Sequence, residues 1–255
     1  MFTTEERLMQ NSTLDKQSLD KLFHILRQTL NPDLSDPELY AYFSLDRSDY
    51  FCVNFIHRGE DLAGFSTVGA YPRKVNGKKV VILRSAFGLK DEYKDGKFPL
   101  QSMFYKYMKY KLRNLFTPVY VAGFMANPLM YAMICKYTLT CYPRRNQKTS
   151  ASMLRFADDL MASMNLLRKK VRPFVVRIHF QVKFKEQDIK RFMSSNDPDV
   201  NYFLSINPGF QDRMGVMVLV PVTLPNIIYT FIRYQLRRFR KTRRSTQESS
   251  SGKSG

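Results

Sequence analysis

The chain has 255 residues, 44% of them apolar and 14% aromatic, enough hydrophobic surface to order a single domain with elaborations. A net charge of +19 favours anionic partners: a nucleic-acid backbone, an anionic membrane surface or a phosphorylated ligand. Cys52, Cys135 and Cys141 stand in no C-x-x-C or Cys/His ligand spacing, which argues against both a disulfide framework and structural zinc.

The N-terminal segment MFTTEERLMQNSTLDKQ is polar and lacks a basic stretch followed by an apolar one, so no secretory signal is expected. No uncharged apolar run approaches the roughly 18 residues needed to cross a bilayer, and the expected location is cytoplasmic. Leu19, Leu22, Phe23, Leu26 and Leu30 recur on one helical face, and Asn31-Pro32 stops the run. Asp36-Pro37-Glu38 starts a second, shorter helix. Three strands follow, Tyr50 to Arg58, Leu62 to Tyr71 and Lys79 to Phe87. Their turns, Gly59-Glu60-Asp61 and Val75-Asn76-Gly77, predict an antiparallel meander, because Asn-Gly supplies the positive φ angles of a tight hairpin.

The polar stretch from Gly88 to Lys97 leads into an amphipathic helix, with Leu100, Met103, Phe104, Tyr107, Met108, Leu112 and Leu115 on one stripe. Val119 to Phe124 reads as a short buried strand, and Asn127-Pro128 opens a helix through Tyr137. Ser150 to Leu167 predicts a further helix, and Phe174 to Phe184 and Gly215 to Val222 two late strands. Between those strands lie one short helix and turns at Asn196-Asp197-Pro198-Asp199 and Asn207-Pro208-Gly209. Leu224, Ile227, Ile228, Phe231, Ile232, Leu236 and Phe239 keep helical spacing ahead of a basic run. From Asn226 onward eight Lys and Arg residues face Glu248 alone. That stripe packs on the domain with a cationic end, lies on an anionic membrane or, through RRFRKTRR, contacts nucleic acid. Ser245 to Gly255 has the composition of a disordered tail.

In order, these elements run α-α-β-β-β-α-β-α, then a helix, then β-β. From Leu19 to Val222 this order resembles the GNAT N-acyltransferase superfamily. The resemblance implies an α/β (α+β) fold, with a central, mostly antiparallel mixed sheet of about seven strands flanked by helices. It implies a domain over 1–223, followed by a basic amphipathic helix at 224–244 and a tail at 245–255. It also implies transfer of an acyl group from a thioester to an amine, the donor arm lying where the third meander strand and the next strand part, near Phe87 and Phe124. The donor would be acyl-CoA or an acyl carrier protein, with no metal.

GNAT members carry a Q/R-x-x-G-x-G/A turn that brings backbone N–H groups to the donor pyrophosphate. With Lys94 in the first position, the two glycine positions fall on Lys97 and Pro99, so the signature is degenerate. The cofactor-binding set implied is Phe87, Gly88, Leu89, Lys94, Gly96, Lys97 and Asn127, with Asp91, Glu92 and Asp95 opposing phosphate by like charge. A family tyrosine seven residues after the asparagine would serve as general acid, but that position is Ile134, leaving Tyr131 and Tyr137 as candidates. His57, at the end of the first meander strand, is the candidate base. Each has a bland reading: the tyrosines as packing residues, His57 as a strand-end histidine, His179 as a half-exposed sheet residue and Asp158-Asp159 as a solvated helix edge. The alternative function is a catalytically inactive GNAT-like scaffold that binds anionic membrane or nucleic acid through its basic C-terminus, with a peripheral place at the inner membrane surface.

Overall fold

The computed structural model describes residues 2–9, 14–29, 35–43, 48–75, 77–93, 100–164, 170–178 and 184–236. The chain begins with β1 (Phe2–Leu8), α1 (Lys16–Thr29) and α2 (Asp36–Phe43), followed by β2 (Tyr50–Arg58), β3 (Asp61–Val75) and β4 (Lys78–Leu89). A 3-10 turn at Asp91–Tyr93 precedes α3 (Leu100–Arg113), β5 (Val119–Met125) and α4 (Pro128–Tyr137). Then come α5 (Ala151–Ser163), β6 (Lys170–Arg172), β7 (Val175–Arg177), α6 (Glu186–Met193), α7 (Pro198–Ile206) and β8 (Met214–Pro221). Residues 224–236 form a last helix, α8.

The strands make one mixed sheet in the order β1-β2-β3-β4-β5-β8-β7-β6. Every neighbouring pair is antiparallel except β4 and β5, which run parallel. β2 and β3 are buried along most of their length, as their near-continuous apolar composition requires of central strands. The β3–β4 hairpin turns at Gly77, whose φ of 76° is open to glycine without strain; Asn76 lies outside the described residues.

α1 buries Leu22, Phe23, Ile25 and Leu26 against Phe51, Val53, Phe55 and Phe65 on one face of the meander. Its approach depends on Gly88, where a Cβ would stand 2.4 Å from Thr29 Oγ1. On the opposite face, Tyr107 and Tyr110 of α3 pack near Ala70, Val81, Leu83 and Val119. The largest core joins Tyr71, Val75, Val80 and Ile82 of the meander to β5, α4, α5, α7 and β8. Asn127 and Ser150 cap α4 and α5 by accepting hydrogen bonds from Leu129 N and Met153 N.

Three sequence expectations are corrected. The polar N-terminus is β1, an edge strand paired to β2 over its whole length, so the order opens β-α-α and the sheet has eight strands. The long strand from Phe174 is instead the short β6–β7 hairpin, with Phe174 in its turn at a φ of 62°; His179 lies outside the described residues. Between the late strands are two helices, and Asp197, expected in a turn, caps the second by accepting from Asp199 N. The remaining order, from the meander through α3, the parallel β5 and α4 to closing antiparallel strands, is the GNAT-like arrangement that the resemblance implies.

Candidate functional site

β4 and β5 pair at only three positions, Val81 with Val119, Ile82 with Tyr120 and Leu83 with Val121. Past these residues each strand stays with its other neighbour. β4 follows β3 to Leu89 opposite Gly64, and β5 follows β8 to Met125 opposite Val216. A wedge therefore opens from Arg84 and Ala122 toward the C-terminal ends of both strands, and the backbone edges facing each other across it are not paired to one another. In a single sheet, such a split leaves main-chain donors and acceptors for an extended ligand carrying amides of its own.

On the α2 side, where the split starts, a shallow depression of about 10 Å³, room for roughly one water, is lined by Phe43, Phe51, Thr67, Tyr71, Arg84, Ser85 and Ala86. The Tyr71 hydroxyl donates to the Phe43 carbonyl, tying the end of α2 to β3. Thr67 Oγ1 accepts from Ala86 N at 3.1 Å. The guanidinium carbons of Arg73 and Arg84 each lie 5.7 Å from the Tyr71 ring centre, within cation–π range. On the α3 side, the Tyr107 hydroxyl bonds Ser85, and burial pushes its pKa up to about 12.

The sequence candidates fall in different places. Phe87, Gly88 and Leu89 are on the diverging stretch of β4, opposite Ser66, Phe65 and Gly64. Lys94, Gly96 and Lys97 lie outside the described residues. The turn before them is anchored by Asp61, which accepts from Lys90 Nζ at 2.9 Å and from the Tyr93 hydroxyl at 2.7 Å. Those two contacts, Lys90 first, lower the Asp61 pKa. Asn127 stands two positions after Met125, the last residue of β5, and its side chain is engaged in capping α4.

Tyr131 is fully buried, its hydroxyl donating to Pro143 O at 2.9 Å and its ring beside Tyr202 and Phe203. Burial drives its pKa upward, and of the two readings the sequence offered, Tyr131 takes the packing one: it belongs to the core. Tyr137 ends α4, about 15 Å of helix rise from Asn127, and its carbonyl accepts from Thr230 Oγ1. His57 sits two strands from β4, about 10 Å by strand spacing, with Nε2 3.3 Å from Glu5 Oε2 and 3.4 Å from Lys21 Nζ. Asp158 is paired to Lys170 at 2.7 Å. Of the residues the sequence singled out, the structure thus brings Phe87, Gly88 and Leu89 to the wedge and leaves His57, Tyr131 and Tyr137 away from it. Arg84 was readable as the lone charge in the apolar run VVILRSAF, whereas Tyr71 and Thr67 carried no such signal.

No family model matches the sequence, and no curated protein matches it. Among solved structures, the chain is similar to a conserved Enterococcus faecalis protein, at 14% identity and a TM-score of 0.37 over 54% of this chain and 32% of that one. It is similar to a GCN5-related N-acetyltransferase of Anabaena variabilis, at 18% identity and 0.34 over 51% and 31% of the two chains. A third is the GNAT family N-acetyltransferase YhbS of Escherichia coli, solved in complex with CoA, at 15% identity and 0.35 over 52% and 68%. The chain spans about a third of the length of the first two. These are partial likenesses of chain trace; the strand order and single parallel junction seen in this chain itself make its fold GNAT-like.

Proposed function

We propose that the chain is an N-acyltransferase that takes an acyl group from a pantetheine thioester, on coenzyme A or on an acyl carrier protein, and passes it to an amine. The observation behind this reading is the three-residue junction of β4 and β5 and the wedge beyond it. An extended pantetheine arm carries two amides, and the diverging stretch with Phe87, Gly88 and Leu89 offers a strand edge to hydrogen-bond them. The thioester carbonyl would then lie near the start of the split, beside Thr67, Tyr71 and Arg84, where the amine would meet it. The amine nitrogen forms the new C–N bond, the C–S bond breaks, the thiolate leaves, and the amine's proton passes to solvent or to the thiolate, which becomes the free thiol. Lys94, Gly96 and Lys97 are the proposed phosphate contacts, and an acidic carrier protein would complement the +19 charge.

The test is thermal unfolding with acetyl-CoA, longer acyl-CoAs and an acyl carrier protein, followed by detection of free thiol on adding amines. At 100-fold excess over Kd a donor adds about 2.7 kcal/mol, a rise of roughly 5–10 °C for a domain of this size. No shift with any pantetheine thioester would sink the reading. The second reading, an inactive scaffold that docks on an anionic surface, is favoured by one observation, the exposed apolar stripe of α8.

A further inference from the structure

α8 has two unlike faces. Asn226 is buried, accepts from Leu139 N and Thr140 N at 2.8 Å, and donates to the carbonyls of Thr140 and Pro221. Ile227 packs beside Val119 and Val222, and Thr230 bonds the Tyr137 carbonyl. These residues fix the helix to the domain. At 100° per residue, Leu224, Ile228, Phe231, Ile232 and Leu236 occupy an arc of roughly 140° on the other side. Each of the five is between 46% and 68% exposed. The stripe therefore does not serve the core, although its residues are the kind cores are made of.

A second exposed group lies at the same end of the sheet. Phe116 is 100% exposed and Leu115 59%, in the turn feeding β5, whose first residue bonds Val222 just before α8. Lys111 holds that turn by donating to the carbonyls of Leu115 and Thr117 at 2.8 and 2.9 Å, so Phe116 is presented on an ordered segment.

We infer that α8 and the Leu115–Phe116 turn form a docking surface for an anionic lipid bilayer. Charge selects this occupant. From Leu224 to Gln247 the sequence holds Arg233, Arg237, Arg238, Arg240, Lys241, Arg243 and Arg244 and no acidic residue. Two copies would meet as like-charged chains of +19 each, and a nucleic acid would use the cations but gain nothing from the four aliphatic side chains of the stripe. An anionic bilayer uses both features, the stripe at the acyl boundary and the chain's excess of positive charge. The inference is independent of whether the wedge accepts a thioester.

The test is co-sedimentation of the full chain with phosphatidylcholine vesicles containing about 30 mol% phosphatidylserine, against pure phosphatidylcholine, at low and high salt. The anionic vesicles should bind at least about tenfold more protein, with the difference shrinking in high salt. Phe231→Asp with Ile232→Asp should abolish binding without moving the unfolding midpoint, because both side chains are exposed, and Phe116→Ser should weaken it. Equal binding to both vesicles, binding to neither, or full binding by the double variant would overturn the inference. So would light scattering showing a dimer that the double variant dissolves, or retention on an RNA homopolymer that ignores the variant while vesicles stay unbound.

Discussion

The sheet is two half-sheets built by different means and joined at one short seam. β2, β3 and β4 are neighbours in sequence as well as in space, joined by tight turns and in register except for one bulge between Ile56 and His57. On the other side, β5 finds its partner β8 almost a hundred residues later, and β7 and β6 follow in reverse order. The seam falls where pairing changes from local to distant. Each half has its own reason to hold together, so the strands at the seam can part without unravelling either half, and the wedge costs the fold little.

The largest effect should come from emptying either core. Phe55, on the meander side, and Phe203, on the far side, are both fully buried. Truncating either to alanine should remove about 3–5 kcal/mol of stability. Tyr71, Val80 and Ile82 share a core with β8, so both variants should keep one unfolding transition, by fluorescence and by circular dichroism alike. Two separate transitions in Phe203→Ala would mean that the seam divides the molecule into independent units.

Next in size is Gly88→Ala. A methyl there would meet Thr29 Oγ1 and Cβ at 2.4 and 2.7 Å, and both belong to α1 rather than to the flexible end of a long side chain. Denaturant melts should show a loss of about 1–3 kcal/mol. Gly123→Ala, across the wedge, meets only the Cε of Met125, which can swing away, and should cost less.

The meander half also buries charge, as the far half does not among the described residues. Lys106 of α3 reaches Glu6 and lies 2.7 Å from Cys52 Sγ and 3.3 Å from Asn54 Oδ1, with its own side chain 8% exposed. Replacing a buried cation by an apolar side chain of similar length is often neutral, whereas removing its counter-charge strands it. Lys106→Met should therefore change stability by less than about 1 kcal/mol, and Glu6→Gln, whose site is half exposed, should cost about 1–2 kcal/mol. A larger loss in Lys106→Met would mean that the ion pair itself holds α3 to the sheet.

How much of this was legible follows the same divide. The meander strands were readable because they are apolar along their length and end at glycine turns. The wedge was expected from the GNAT resemblance near Phe87 and Phe124. β1 was hidden because FTTEERL has no apolar face: backbone pairing places it, and Glu5 and Glu6 find their cations on helices 16 and 100 residues away. β6 and β7 were misread because nothing local announces that Phe174 occupies a left-handed turn. The face of Tyr131 was settled by α7, far along the chain, which covers it with Tyr202 and Phe203. Local pattern reports local pairing, and it left the faces of residues that depend on distant packing open between two readings.

The smallest effect is a titration at the edge where β1 joins. Glu5 Oε2 lies 2.5 Å from Lys21 Nζ, and this contact above all, with Arg7 and His57 helping against the cost of burial, holds its pKa down to about 2 from an ordinary 4.5. A carboxylate whose folded pKa is depressed contributes stability above its unfolded pKa, and that contribution is lost as pH falls toward the folded value. The window is thus pH 4.5 down to 2. The Glu5 side chain is a third exposed, so solvent screening limits the effect to about 1 kcal/mol or less. Between pH 6 and pH 3 the urea midpoint should fall more for the wild type than for Glu5→Gln, the gap between them narrowing by pH 3 and closing near pH 2. Equal acid sensitivity in both would show that β1 is held by its backbone ladder alone, as its polar sequence already suggests for the rest of the strand.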